Sequence, residues 1–264
     1  MEYIEAILLG MVQGLTEFIP ISSSGHLVLF HRFFGAGAND LALDVALHIG
    51  TLFALLTFFY KDIIGLVAGF INGGYQRRLV WLLAGATFPA VVVGVALESR
   101  AETAFRSVTL VAVNLLVVGI IMLLAENHYD KSKFHTKLEK LTAKQAAIIG
   151  VAQAVAIVPG ISRSGSTITS GLFVGLDRIG ATRFSFLLAL PITFGAVLKV
   201  MLDANNYQAL SGQWNIVMVG IVASLFSGLY AIGFMLRFLA KYSLRPFAYY
   251  RIVLGAVFIC LSLR

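Results

Sequence analysis

Gly10 to Gly25 reads GMVQGLTEFIPISSSG, and Gly150 to Gly165 reads GVAQAVAIVPGISRSG. Aligned without a gap, six of sixteen positions are identical: Gly10/Gly150, Gln13/Gln153, Ile21/Ile161, Ser22/Ser162, Ser24/Ser164 and Gly25/Gly165. The copies differ in their chemistry. Glu17 faces Ile157, Ser23 faces Arg163, and His26, one step further on, faces Ser166. The chain reads as an internal duplication, with a carboxylate and an imidazole in one copy and a guanidinium in the other. Buried polar groups cost free energy unless they are paired, so polar residues concentrated in an apolar chain point to a site.

The surroundings are very apolar. Of 264 residues, 59% are hydrophobic and 12% charged, and the mean hydropathy is +0.88. Soluble domains carry roughly 25% charged residues. Long continuous apolar runs such as Leu43–Tyr60, Leu79–Leu97 and Val108–Ala125 exclude the alternating pattern of an outer-membrane barrel. The composition predicts an all-α polytopic membrane protein. The acidic start MEYIEAILLG lacks a basic region and a cleavage site, which argues against a cleaved signal peptide. Cys260 is the single cysteine, so no internal disulfide and no Cys-based metal site is expected. The net charge of +7 sits in short loops, which suits topology and inner-leaflet lipid rather than nucleic acid.

Six stretches approach the roughly 20 apolar residues that a spanning helix needs: 43–60, 79–97, 108–125, 184–202, 215–236 and 247–262. Pro20 and Pro159 interrupt the two repeated segments. Broken backbone at membrane depth must be buried in protein or line a wet cavity. Residues 3–35 and 146–176 are therefore expected as re-entrant hairpins.

With loop 126–145 placed inside, alternation puts 61–78, 177–183 and 237–246 inside too. Thirteen Lys and Arg then fall inside, against Arg32, Arg100, Arg106 and Arg264 outside. Both termini are expected outside. Each half is one hairpin plus three spans, and three is odd, so the second half is inverted. Two inverted-topology repeats, about 1–125 and 146–264, are expected to form a single membrane domain over 1–264. That is a transporter-like architecture.

Three groups of residues carry chemistry. Ser162, Arg163, Ser164 and Thr167 follow Pro159-Gly160. Arg163 offers a donor fork suited to phosphate oxygens, and a helix starting near Thr167 would turn its N-terminus the same way. Gln13 and Glu17, four apart, share a helix face. Glu17 suits a proton carrier, a metal ligand or an orienter of a histidine. Ser22, Ser23, Ser24 and His26 supply hydroxyls and an imidazole; His26 or Ser23 can attack phosphorus, or His26 can activate water. Bland readings suffice elsewhere. Asp44 and His48 look like a pair or cap, and Arg251 and Lys199 look like snorkelling residues. His31, His128 and His135 look like loop residues, and the Gly-rich stretch 65–74 and Gly171-x-x-x-Gly175 look like packing.

Gln13-Gly-Leu-Thr-Glu17, Ser22-Ser-Ser-Gly-His26 and Pro159-Gly-Ile-Ser-Arg-Ser-Gly-Ser-Thr167 together resemble the undecaprenyl-diphosphate phosphatase family of bacterial inner membranes, which is associated with bacitracin resistance. The likeness in length and span pattern covers essentially the whole chain. Gln13 stands where some members have Glu. The resemblance implies hydrolysis of undecaprenyl diphosphate to the monophosphate and inorganic phosphate, recycling the carrier for peptidoglycan. For that reaction Glu17, His26, Ser23 and Arg163 are the expected catalytic residues, and Ser162, Arg163, Ser164, Thr167 and Ser24 are expected to bind phosphate. Gln13 and Glu17 would position substrate or metal. It also implies a divalent cation, Mg or Ca, with Glu17 the best ligand candidate. Expected partners are the substrate and membrane lipid, with a homodimer left open.

Two rivals follow from the same residues. Acid-phosphatase-type lipid phosphatases share a Ser-Gly-His element, but they add a His shortly after a Ser-Arg pair. The residues after Ser162-Arg163 contain none. A polyprenyl-phosphate transporter or flippase fits the inverted repeat as well as an enzyme does. A purely structural role leaves Arg163 unexplained.

Overall fold

In a computed structural model, residues 2–34, 40–96, 107–203 and 212–262 are described. They form α1 (Glu2–Phe18), α2 (Ser23–Phe34), α3 (Asp40–Phe58), α4 (Tyr60–Asn72), α5 (Gly74–Ala96) and α6 (Val108–Lys131). After a 3-10 turn at Leu138–Lys140 come α7 (Ala143–Val155), α8 (Arg163–Phe173), α9 (Arg178–Leu202), α10 (Trp214–Leu239) and α11 (Arg245–Ser262). The architecture is all-α. Arg100, Arg106 and Arg264, three of the four expected outside charges, lie outside the described residues.

Helices α5, α6, α9 and α10 are long and apolar enough to cross a membrane. Leu43–Phe58 and Tyr60–Asn72 make a fifth span if that pair, bent by 71°, is counted as one. The expected loop 61–78 is therefore mostly helix. Ile63, Ile64, Leu66, Val67, Phe70 and Ile71 give α4 an apolar surface at helical spacing. Helix α11, at 18 residues, is shorter than the four long spans. Its length of about 27 Å falls just short of a typical hydrocarbon core.

Both repeated segments break as expected. Helix α1 gives way to α2 at Phe18–Ser23, and α7 to α8 at Val155–Arg163. Each half places its hairpin against the other half. Helix α1 packs along α10, and α7 packs along α5. The repeated glycines permit this. A Cβ at Gly10 would lie 2.2 Å from the Gly220 carbonyl oxygen, and one at Gly150 2.4 Å from the Ala86 carbonyl oxygen. Behind the breaks, Phe18 meets Phe186 edge-on at 5.4 Å within the main core.

The four segments expected inside touch one another at one end of the bundle. Arg178 pairs with Glu126 at 2.5 Å, Arg245 with Asp130 at 2.7 Å, and Arg183 with Asp62 at 2.5 Å. Glu126 is wholly buried and also accepts the Leu244 backbone N–H at 2.6 Å. Arg78 donates to the Leu141 carbonyl. Of the presumed loop histidines, His31 lies in α2 and His128 in the last turn of α6. His135 stacks on Tyr129 with ring centroids 3.6 Å apart.

Candidate active site

Both breaks are built alike. Ser22 and Ser162 hold positive φ angles of 77° and 75°, unusual for residues with a side chain. Each then caps the helix that follows: Ser22 Oγ accepts from the Gly25 N–H at 3.3 Å, and Ser162 Oγ from the Gly165 N–H at 3.0 Å. The first residues of α2 and α8, Ser23 and Arg163, consequently face one cavity of about 620 Å3. The positive ends of both helices add to the attraction for an anion there.

Glu17, at the end of α1, is the hub. Arg163 Nη2 lies 2.5 Å from its Oε1. Ser23 Oγ donates to Oε2 at 2.5 Å, and Gln13 Nε2 donates to the same oxygen at 3.1 Å. The carboxylate is 7% exposed, and Gln13 is wholly buried behind it. Arg163 Nη1 is buried with no hydrogen-bond partner among the described residues. Ser24 and Ser162 also line the cavity, as do the apolar side chains of Val91, Val95, Ile157 and Ile192. Among the described residues the charged groups of the lining are Arg163, Lys199 and Glu17.

The remaining expected residues lie outside the cavity lining. Ser164 is buried and approaches the Ser162 hydroxyl at 3.3 Å. Thr167 is buried, donates to the Arg163 carbonyl at 2.8 Å and lies 2.6 Å from Ser185 Oγ. His26 Nδ1 donates to the Ser22 carbonyl at 2.7 Å, which leaves Nε2 to accept from the Tyr250 hydroxyl at 2.8 Å. The imidazole in the cavity is instead His48. Its Nδ1 donates to the Asp44 carbonyl at 2.8 Å, and its Nε2 lies 3.6 Å from Glu17 Oε2. The Asp44 side chain bonds His31, at 2.8 Å, not His48.

Arg251 corrects a second expectation. It does not snorkel to a membrane face but is wholly buried. Its guanidinium donates to the carbonyls of Pro20 at 3.2 Å, Gly160 at 2.7 Å and Ile161 at 3.0 Å. One side chain thus ties the two breaks together. Its signal in sequence was a lone charge inside an apolar span. Lys199 lines the cavity as well, where a snorkelling role had been expected.

A divalent cation fits these residues poorly as a resident group. Hard cations take six or more oxygen ligands, several of them carboxylates or carbonyls. Among the described residues the cavity offers one carboxylate, already held by a guanidinium, and no group of three or more His, Cys, Asp or Glu converges.

The fold and site define a class: a polytopic helical membrane protein with a cavity, holding a buried carboxylate–guanidinium pair, where two helix breaks meet. Within that class, a family profile described as Bacitracin resistance protein BacA matches residues 6–257, and the chain belongs to that family. It is 43% identical over 273 residues to an undecaprenyl-diphosphatase of Rubrobacter xylanophilus, covering 100% of this chain and 99% of that protein. It is 38% identical to one from Methanosphaera stadtmanae, covering 99% of both chains. Against one from Gemmatimonas aurantiaca it is 41% identical, covering 96% of this chain and 95% of that protein.

Proposed function

We infer that the protein hydrolyses undecaprenyl diphosphate to undecaprenyl phosphate and inorganic phosphate, returning the lipid carrier to envelope synthesis and conferring bacitracin resistance. The observation that carries the site assignment is the Ser23–Glu17–Arg163 constellation at the polar end of a cavity with an apolar wall. Full-length relatives that are undecaprenyl-diphosphatases support the substrate.

The diphosphate enters this cavity while the prenyl chain stays along Val91, Val95 and Ile192. Ser23 Oγ attacks the terminal phosphorus and gives its proton to Glu17 Oε2, the oxygen it already bonds. The bridging P–O bond breaks and undecaprenyl phosphate departs with the electron pair. Water then attacks the phosphoserine and inorganic phosphate leaves, Ser23 recovering its proton through Glu17. Arg163 holds the carboxylate with Nη2 and offers Nη1 to phosphoryl oxygens. Ser24 and Ser162 add hydroxyls, Gln13 steadies Glu17, and His48 stands beside the carboxylate. Ser164, Thr167 and His26 hold the breaks from behind. No step of this reaction is routed through a divalent cation.

The protein is placed in the plasma membrane with both termini outside, its two halves inverted and the cavity open outward. Every group used in the reaction comes from one chain. Proteoliposomes test the reading: phosphate is released from undecaprenyl diphosphate while a non-hydrolysable analogue stays in its leaflet. Movement of the analogue without phosphate release would instead make the protein a transporter.

A further inference from the structure

Gln153 lies on α7 at the position that Gln13 occupies in the first copy. Gln13 has a partner four residues on, Glu17, and donates to it at 3.1 Å. Gln153 has Ile157 four residues on. The duplication therefore leaves it without the carboxylate that its twin's Nε2–H bonds. Gln153 is 2% exposed, and among the described residues neither Nε2 nor Oε1 has a hydrogen-bond partner. Yet it lines the same cavity as Ser162 and Arg163. Arg163 Nη1, also buried, is partnerless there too.

A buried amide with nothing to bond lowers stability, and a leucine would fill the same volume without that penalty. A ligand removes the penalty by supplying the missing partner. The donors waiting in the cavity are an amide N–H and a guanidinium N–H, which suit anionic oxygen. The next turn of the chain, Ala156 and Ile157, enters the apolar part of the lining. The phosphate that carries the prenyl chain is accordingly the one assigned to Gln153, while Ser23 and Glu17 address the terminal phosphorus.

We propose that Gln153 is a substrate-recognition residue that donates its Nε2–H to the lipid-linked phosphate of the diphosphate, beside Arg163 Nη1. The inference rests on the diphosphatase reading above and adds to it a grip on the part of the substrate that becomes the lipid product.

Gln153→Leu removes both polar atoms at nearly constant volume. Wild type and variant are compared by phosphate release, by thermal unfolding without substrate, and by binding of a prenyl diphosphate whose bridging oxygen is replaced by methylene. The expected result is an unfolding temperature no lower than wild type. KM and the analogue's Kd each rise about tenfold or more, and kcat stays within about threefold. Gln153→Glu, which sets a like charge against the diphosphate at unchanged shape, weakens analogue binding further. Analogue affinity and KM within about twofold of wild type overturn the proposal. So does lost kcat at unchanged analogue affinity, or a lower unfolding temperature, which would show the amide already bonded in the free protein. Wild-type protein that binds the analogue but releases no phosphate overturns the activity and not the role of Gln153, because analogue binding still separates the variants.

Discussion

Arg163 Nη2 lies 2.5 Å from Glu17 Oε1 although 146 residues separate them in the chain. The ion pair joins the two copies of the repeat. Neither copy holds both members, because Ile157 stands where a second Glu17 would be and Ser23 where a second Arg163 would be. Removing one partner leaves the other charged and buried, which is costlier than losing the contact itself. Arg163→Lys should lower phosphate release by about a hundredfold or more, since one ammonium cannot both hold Oε1 and reach a phosphoryl oxygen. Steady-state phosphate release from undecaprenyl diphosphate checks this.

Ser23 is the hydroxyl that faces the cavity and bonds Glu17. Rapid-quench mass spectrometry should therefore find phosphate on Ser23 during turnover. His26, held by the Ser22 carbonyl and Tyr250, should carry none. Ser23→Ala should retain analogue binding and lose at least about a thousandfold in rate.

Arg251 ties the carbonyls of Pro20, Gly160 and Ile161 from α11. Its guanidinium reaches both breaks, and a lysine has too few directed donors to replace it. Arg251→Lys should destabilise the protein by about 2–4 kcal/mol and lower activity by misaligning Ser23 and Arg163. Thermal unfolding followed by tryptophan fluorescence, alongside phosphate release, measures both effects.

Gly150 lets α7 lie directly on the backbone of α5, with the Ala86 carbonyl 2.4 Å from where a Cβ would stand. Gly150→Val should cost about 2–3 kcal/mol. Gly85, with nothing within 4 Å of its would-be Cβ, is the control. Gly85→Ala should leave stability unchanged or raise it slightly.

These contacts also show what sequence could and could not convey. The breaks at Pro20 and Pro159 and a site drawing Glu17 and Ser23 from one copy and Arg163 from the other followed from the repeat, because mismatched positions in a duplication expose different chemistry; the Glu17–Arg163 ion pair did not, since Glu17 was read as the partner of His26. Arg251 did not follow. A charge near the start of an apolar run looks the same whether it snorkels or turns inward, and only three carbonyls from two distant breaks decide the matter. His48 was obscured by Asp44 at the helical spacing of a pair, yet its Nδ1 takes the Asp44 backbone and its ring turns to Glu17. His26 drew attention by adjacency to the serines, while Tyr250, 224 residues away, engages its ring. Helix α4 was read as loop because it fell between the apolar runs 43–60 and 79–97, and Lys61, Arg77 and Arg78 marked that interval as an inside segment.

Phosphate release by purified wild type, Glu17→Gln, Arg163→Leu and the double variant tests the composite site most directly. Each single variant should fall by about a hundredfold or more, and the double should fall little below the slower single, as for groups that act as one unit. Single variants with near wild-type rates, or a double variant whose loss is the product of the two, would contradict it.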